Sequence, residues 1–150
     1  MNFLSGQILM YSGDNYENVY KLLNESYDIK YHDLFVFAVQ LGFKHNKREE
    51  RVGKGREFRS NYLSLQQKGV LYSVILNDPK FSRNLDDLTD QDFLSRCKNT
   101  LEEYAVGGLR YLCTEAFGFK WNGVKLDESY SDYDLDLMTF IKQEFEEIPF

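Results

Sequence analysis

The chain has 150 residues, a formal net charge of −6 at pH 7, and 43% hydrophobic and 16% aromatic residues. This length is typical of one domain that buries a core without disulfides or structural metals. The net negative charge argues against a protein whose whole surface coats nucleic acid. The charge is uneven, however: residues 44–59 hold seven Lys and Arg against three Glu, whereas residues 125–150 hold eight Asp and Glu against two Lys.

The cysteines and the shortness of the apolar runs indicate the cellular compartment. Cys97 and Cys113 show no metal-ligand spacing, so we expect reduced thiols. The N-terminal residues lack the basic and apolar regions of a signal peptide. The longest purely apolar run, residues 34–39, is too short for a membrane span. We therefore expect cytoplasmic localisation and no membrane contact.

Hydrophobic periodicity predicts mainly helices. Residues 1–13 fit either a short strand or an ordered arm. Residues 15–26 carry apolar side chains at helical spacing, and residues 31–45 are apolar almost all round, which is typical of a helix in the centre of a bundle. Residues 46–60 have no apolar period and predict a loop. Residues 65–79 fit a helix or a buried strand by pattern, and their length favours a helix.

Two further helices complete the pattern. A Thr89-x-x-Asp92 capping box opens a long periodic segment over about residues 90–117, and an acidic C-terminal helix is expected over about 131–147. The apolar face predicted for this last helix consists of Leu137, Met138, Ile141, Phe145 and Ile148. Residues 1–150 are thus predicted to form a mainly α, compact single-domain bundle of about five helices, with a basic loop after the second helix.

The long helix contains an anomaly in the stretch LEEYAVGGLRYL, residues 101–112. Apolar and small residues recur there at helical spacing, yet Gly107 and Gly108 lie at its centre. Each glycine costs about 1 kcal/mol relative to alanine in a helix. We interpret Tyr104, Gly107 and Gly108 as a point of close packing, where a neighbouring helix or an aromatic ring meets the backbone. The alternative is a ligand or a partner that contacts the bare backbone.

Two stretches carry a family resemblance. The segments YHDLFVFAVQLGFKHNKRE and EEYAVGGLRYL together resemble the DNA phosphorothioation-associated protein 4 family, also called Dnd system-associated protein 4. The matching positions are Tyr31, Asp33, Leu34, Phe35, Ala38, Leu41, Gly42, Phe43, Lys44, His45, Lys47, Arg48, Glu102, Glu103, Tyr104, Ala105, Gly107, Gly108 and Leu109. Val106 departs from the pattern, which has Asn there. The resemblance covers about residues 31–112, implies a small bacterial accessory protein of a DNA-modification and anti-phage defence locus, and supplies no catalytic residues.

The sequence itself offers little catalytic chemistry. His32 and His45 are the only histidines, and they lie at the two ends of the predicted central helix. Neither a metal site built on several imidazoles nor a nucleophile–base pair is indicated. Glu102 follows Lys98 by four residues, the spacing of an ion pair on a solvated helix face. We predict no catalytic residue, no metal and no cofactor, and enzyme activity is the less favoured class.

The basic segment, residues 44–59, is the best binding candidate. Its cations suit the phosphates of a DNA backbone. An acidic protein partner fits them equally well, and a solvated loop with local ion pairs is the third interpretation. The candidate residues are Lys44, His45, Lys47, Arg48, Arg51, Lys54, Arg56 and Arg59.

Three functions compete. The favoured one is a non-catalytic accessory subunit that binds other proteins of the defence locus, with Trp121, Tyr130 and Tyr133 as candidate aromatic contacts. The second is a DNA-binding regulator or sensor that uses the basic segment. The third is a metal-dependent nuclease effector, which no sequence motif indicates.

Overall fold

The computed structural model describes Leu4, residues 7–79 and residues 91–146, with side chains in the last helix as far as Glu144. Five helices and a two-stranded sheet lie within these ranges, which confirms the mainly α prediction. In chain order the elements are β1 (Leu9–Tyr11), α1 (Glu17–Tyr27), α2 (Tyr31–Lys44), β2 (Glu57–Arg59), α3 (Leu65–Asn77), α4 (Gln91–Leu112) and α5 (Tyr133–Glu146). The Thr89 capping box lies outside the described residues.

The centre of the fold is the contact between α2 and α4, where the two backbones touch through small residues. A Cβ atom built on Gly108 would lie 2.6 Å from the carbonyl carbon of Ala38 and 2.9 Å from the amide nitrogen of Gly42. A Cβ atom on Gly42 would in turn lie 2.9 Å from the carbonyl carbon of Tyr104. The neighbour of Gly108 is thus a helix backbone and not an aromatic ring, and the absence of a side chain allows the approach.

The two strands join distant parts of the chain. They pair antiparallel, with Met10 opposite Phe58 and Tyr11 opposite Glu57. Met10 and Phe58 point into the core, because successive side chains of a strand alternate between faces and both are buried. Residues 46–60 are therefore not simply a loop, since they end in a strand.

Main-chain hydrogen bonds continue this pairing towards the middle of the basic segment. The amides of Ser12 and Gly13 donate to the carbonyls of Arg56 and Lys54, each at 2.9 Å. Gly55 has a φ of +63°, and a Cβ there would overlap the backbone of Gly13. A glycine is needed at this position for both reasons.

The other helices surround the central pair. Ser64 caps α3 through a capping box with Gln67, and α4 continues into a π-helical turn, Cys113–Phe117. Tyr133 and Phe140 of α5 are buried. Met138, which was expected on the apolar face of α5, is 64% exposed because Tyr133, Leu137 and Phe140 form the face that packs on the domain.

Two Gly→Ala substitutions test the central contact. Gly108→Ala should lower the free energy of unfolding by about 2 kcal/mol, because the added methyl group overlaps the α2 backbone. Gly69→Ala, in the middle of α3, meets no atom within 4 Å and should raise the free energy of unfolding by up to about 1 kcal/mol through helix propensity. Urea unfolding measures both, and equal effects of the two substitutions would contradict the contact.

Candidate functional site

The basic segment lies along α4 before it reaches the sheet. The Lys47 amide donates to the carbonyl of Gly42 at 2.7 Å, and the Glu49 amide donates to the carbonyl of Glu103 at 3.0 Å. A Cβ atom on Gly107 would lie 2.7 Å from the amide nitrogen of Arg48. Gly107 thus makes room for the basic segment, as Gly108 makes room for α2.

Arg48 belongs to a buried network. Its guanidinium lies 3.1 Å from a carboxylate oxygen of Asp78, whose side chain is fully buried at the end of α3. The Tyr104 hydroxyl donates to the same oxygen at 2.7 Å, and the guanidinium lies over the Tyr104 ring. Burial and the hydrogen bond to Asp78 raise the pKa of Tyr104 to about 12. Arg48 therefore joins the basic segment to α3 and α4, and its charge already has a partner.

Three more cations of the segment form ion pairs within the chain. Arg51 lies 3.3 Å from Glu102, and Arg56 lies 2.7 Å from Glu17. Lys44 lies 2.7 Å from Glu144, the same carboxylate that His45 contacts at 3.1 Å. The remaining cations, Lys47, Lys54 and Arg59, are exposed and have no carboxylate partner among the described residues.

His45 ends α2 and stacks on Tyr111, with 3.9 Å between the ring centroids. Burial alone would raise the pKa of Glu144, but hydrogen bonds from Lys44 and His45 outweigh burial, and the net pKa is lowered. The charged carboxylate holds the end of α2 against α5. This contact gives His45 a structural role.

Glu102 is the residue that the sequence pattern misplaces. It is 1% exposed and not on a solvated face. One carboxylate oxygen accepts the Tyr11 amide at 2.7 Å, and the other faces Arg51. Burial raises the pKa of Glu102. The Tyr11 amide and the nearby Arg51 and Lys98 lower it by less, so the net pKa is raised. The spacing to Lys98 could not reveal this, because the burial comes from β1, ninety-one residues away.

A groove of about 540 Å³ lies between the start of the basic segment and the end of α4. Its lining residues are Asn46, Lys47, Arg48, Glu49, Gly107, Arg110, Tyr111, Thr114 and Glu115. Arg110 and Glu49 pair across it at 3.2 Å, and Thr114 and Glu115 belong to the π-helical turn. π-helical turns occur often at functional sites. The groove carries both signs of charge, so it is not a specialised anion site.

The structure separates the three aromatic candidates. Trp121 is half-buried and packs on Tyr16, with ring centroids 5.4 Å apart. Tyr130 packs edge-on against Tyr133 at 4.8 Å. Tyr133 is fully buried and its hydroxyl donates to the carbonyl of Asp127 at 2.8 Å, so the expectation that it contacts a partner is wrong.

Other apolar side chains in this part of the chain are exposed. Phe119, in the turn after α4, is 97% exposed, and Leu135 on α5 is 56% exposed. The ion pair between Lys120 and Asp136, at 2.7 Å, holds together the two segments that carry them. The sequence marks Phe119 only by its place between Gly118 and Lys120, which does not distinguish an exposed ring from a buried one.

Comparison with known families decides the relationship. The family described as DNA sulphur modification system-associated protein 4 matches residues 13–124. The chain belongs to this family. The match confirms the resemblance seen in the two motifs and extends beyond them on both sides. Searches of curated proteins and of solved structures each found no match.

The family description ties the protein to a DNA sulphur modification system. None of the helices in the described part of the chain has both the length and the apolar character needed to cross a bilayer. Within the described ranges, no group of three or more His, Cys, Asp or Glu side chains is placed to hold a metal ion.

Arg48 provides a test of whether the basic segment is structural. Arg48→Ala should lower the free energy of unfolding by about 3 kcal/mol, because the buried Asp78 carboxylate would lose its ion pair with the Arg48 guanidinium. Lys47→Ala, one residue away and exposed, should change it by less than about 0.5 kcal/mol. Chemical denaturation measures both values. An Arg48→Ala protein as stable as the Lys47→Ala protein would show that Arg48 is free for another role.

Proposed function

We propose that this protein is a non-catalytic accessory subunit of a DNA sulphur modification system that acts by docking onto another protein of the same locus. The observation that carries the proposal is the exposure of three large apolar side chains, Phe119, Leu135 and Met138, on two segments that the Lys120–Asp136 ion pair joins; these three side chains are called the docking surface. Aromatic residues and methionine are enriched at protein interfaces, where a few buried side chains carry most of the binding energy. A cytoplasmic role in defence against phage follows from the locus and is part of the same proposal.

The geometry of this surface supports docking. Leu135 and Met138 are three residues apart on the outward face of α5, so their side chains lie side by side. Phe119 stands on a turn that the Lys120–Asp136 ion pair holds to the start of α5. Because these elements are already ordered, the surface loses little conformational entropy when a partner binds.

The alternatives draw less support. A DNA-binding regulator that uses the whole basic segment would need its cations, yet Lys44, Arg48, Arg51 and Arg56 each contact a carboxylate of the chain itself. A metal-dependent nuclease would need converging carboxylates. The buried carboxylate of Glu102 is already engaged by the Tyr11 amide and Arg51.

Affinity purification from the native bacterium tests the proposal. The tagged protein should retain a stoichiometric partner encoded in the same locus, and the partner should survive nuclease treatment. Phe119→Ser combined with Met138→Ser should reduce the recovered partner at least tenfold.

Leu65→Ser is the matched control, because Leu65 is 87% exposed and lies at the start of α3. It should leave recovery unchanged, and thermal melting should show all variants folded. A partner lost on nuclease treatment, or equal losses in both variants, would contradict docking through this surface.

A further inference from the structure

Three cations from two separate segments surround the ring of Tyr11. The Lys98 ammonium lies 4.6 Å from the ring centroid, the Arg51 guanidinium 5.1 Å and the Lys54 ammonium 5.6 Å. Lys98 comes from α4, whereas Arg51 and Lys54 come from the basic segment. The Tyr11 amide donates to Glu102, which fixes the ring over this part of α4.

The ring stabilises each cation but does not balance their mutual repulsion. An aromatic ring has two faces, so at least two of the three cations share one of them. Glu102 faces Arg51 at 3.3 Å, and Glu50 and Glu103 line the same small groove beside it. In the described part of the chain, the ammonium groups of Lys54 and Lys98 form no ion pair and no hydrogen bond. The ammonium groups of these two lysines therefore keep donors that a ligand can use.

Two charged residues of β2, Glu57 and Arg59, lie on the same side of the sheet as Tyr11. Glu57 is the cross-strand partner of Tyr11, and Arg59 is the partner of Leu9, so the side chains of each pair leave the sheet on one side. The charges of Glu57 and Arg59 are opposite, so together they do not change the net charge around Tyr11. The surface is open, because Lys54, Glu57 and Arg59 are all exposed.

We propose that Lys54 and Lys98 bind adjacent phosphate groups of a DNA backbone, with the ring of Tyr11 holding the two lysines in place. Ammonium groups are good phosphate ligands and need no base contacts. An open surface suits a polymer backbone, since a small anion needs an enclosed site to be held. The net charge of −6 opposes long-range attraction to DNA, so the contact is weak alone and strengthens when a docked partner brings DNA close.

Lys54 and Lys98 do not belong to the docking surface. The proposal of DNA contact can therefore fail while the proposal of protein docking holds, and the reverse. Fluorescence anisotropy with the full chain and a labelled 20-base-pair duplex, at 50 mM salt and with increasing salt, measures the contact. Lys54→Gln combined with Lys98→Gln should weaken binding at least tenfold. The slope of log affinity against log salt should fall by about two, because each phosphate contact on duplex DNA contributes about 0.9 to the slope.

Lys21→Gln combined with Lys125→Gln is the matched control, because it removes the same charge from exposed lysines of α1 and the turn after α4. It should weaken binding less than twofold. Equal losses in the two double variants, a salt-independent signal or no binding by the wild type would overturn the proposal. A parallel titration with inorganic phosphate at constant ionic strength separates the sources: phosphate binding without duplex binding would also overturn it.

Discussion

The contact between the backbones of α2 and α4 is the constraint on which the rest of the structure depends. Gly42 and Gly108 let the two helices approach until main-chain atoms touch, and Gly107 extends the same clearance to the basic segment. The approach places the end of α2 beside α4, and the chain that follows can then lie along α4 and reach β1. Helix propensity is lost at these glycines, and close packing offsets the loss.

The basic segment is built into the fold through its charges. Arg48 meets the buried Asp78, and Arg51 meets the buried Glu102, so each cation neutralises a carboxylate that burial would otherwise destabilise. Much of the positive charge of the basic segment is therefore neutralised inside the fold, whereas Lys47, Lys54 and Arg59 have no carboxylate partner among the described residues. We accordingly propose that protein docking uses Phe119, Leu135 and Met138, whereas DNA contact uses Lys54 and Lys98.

The sequence predicted the elements better than it predicted their environment. The central helix and the glycine pair were visible because helical periodicity and helix propensity are local properties. The strand pairing and the burial of Glu102 were not visible, because they arise from residues far apart in the chain. Tyr133 and Phe119 show the same limit: both are aromatic residues near glycines or turns, and only packing decides that one is buried and the other exposed.

Amide hydrogen exchange of residues 44–59 tests most directly whether the basic segment is part of the folded core. We predict that the Lys47 and Glu49 amides, which donate to the carbonyls of Gly42 and Glu103, exchange as slowly as the core amides of α4. Exchange of both amides at the rate of an unstructured peptide would contradict it. The segment would then be a free basic loop, and its arginines would be available for a partner or for DNA.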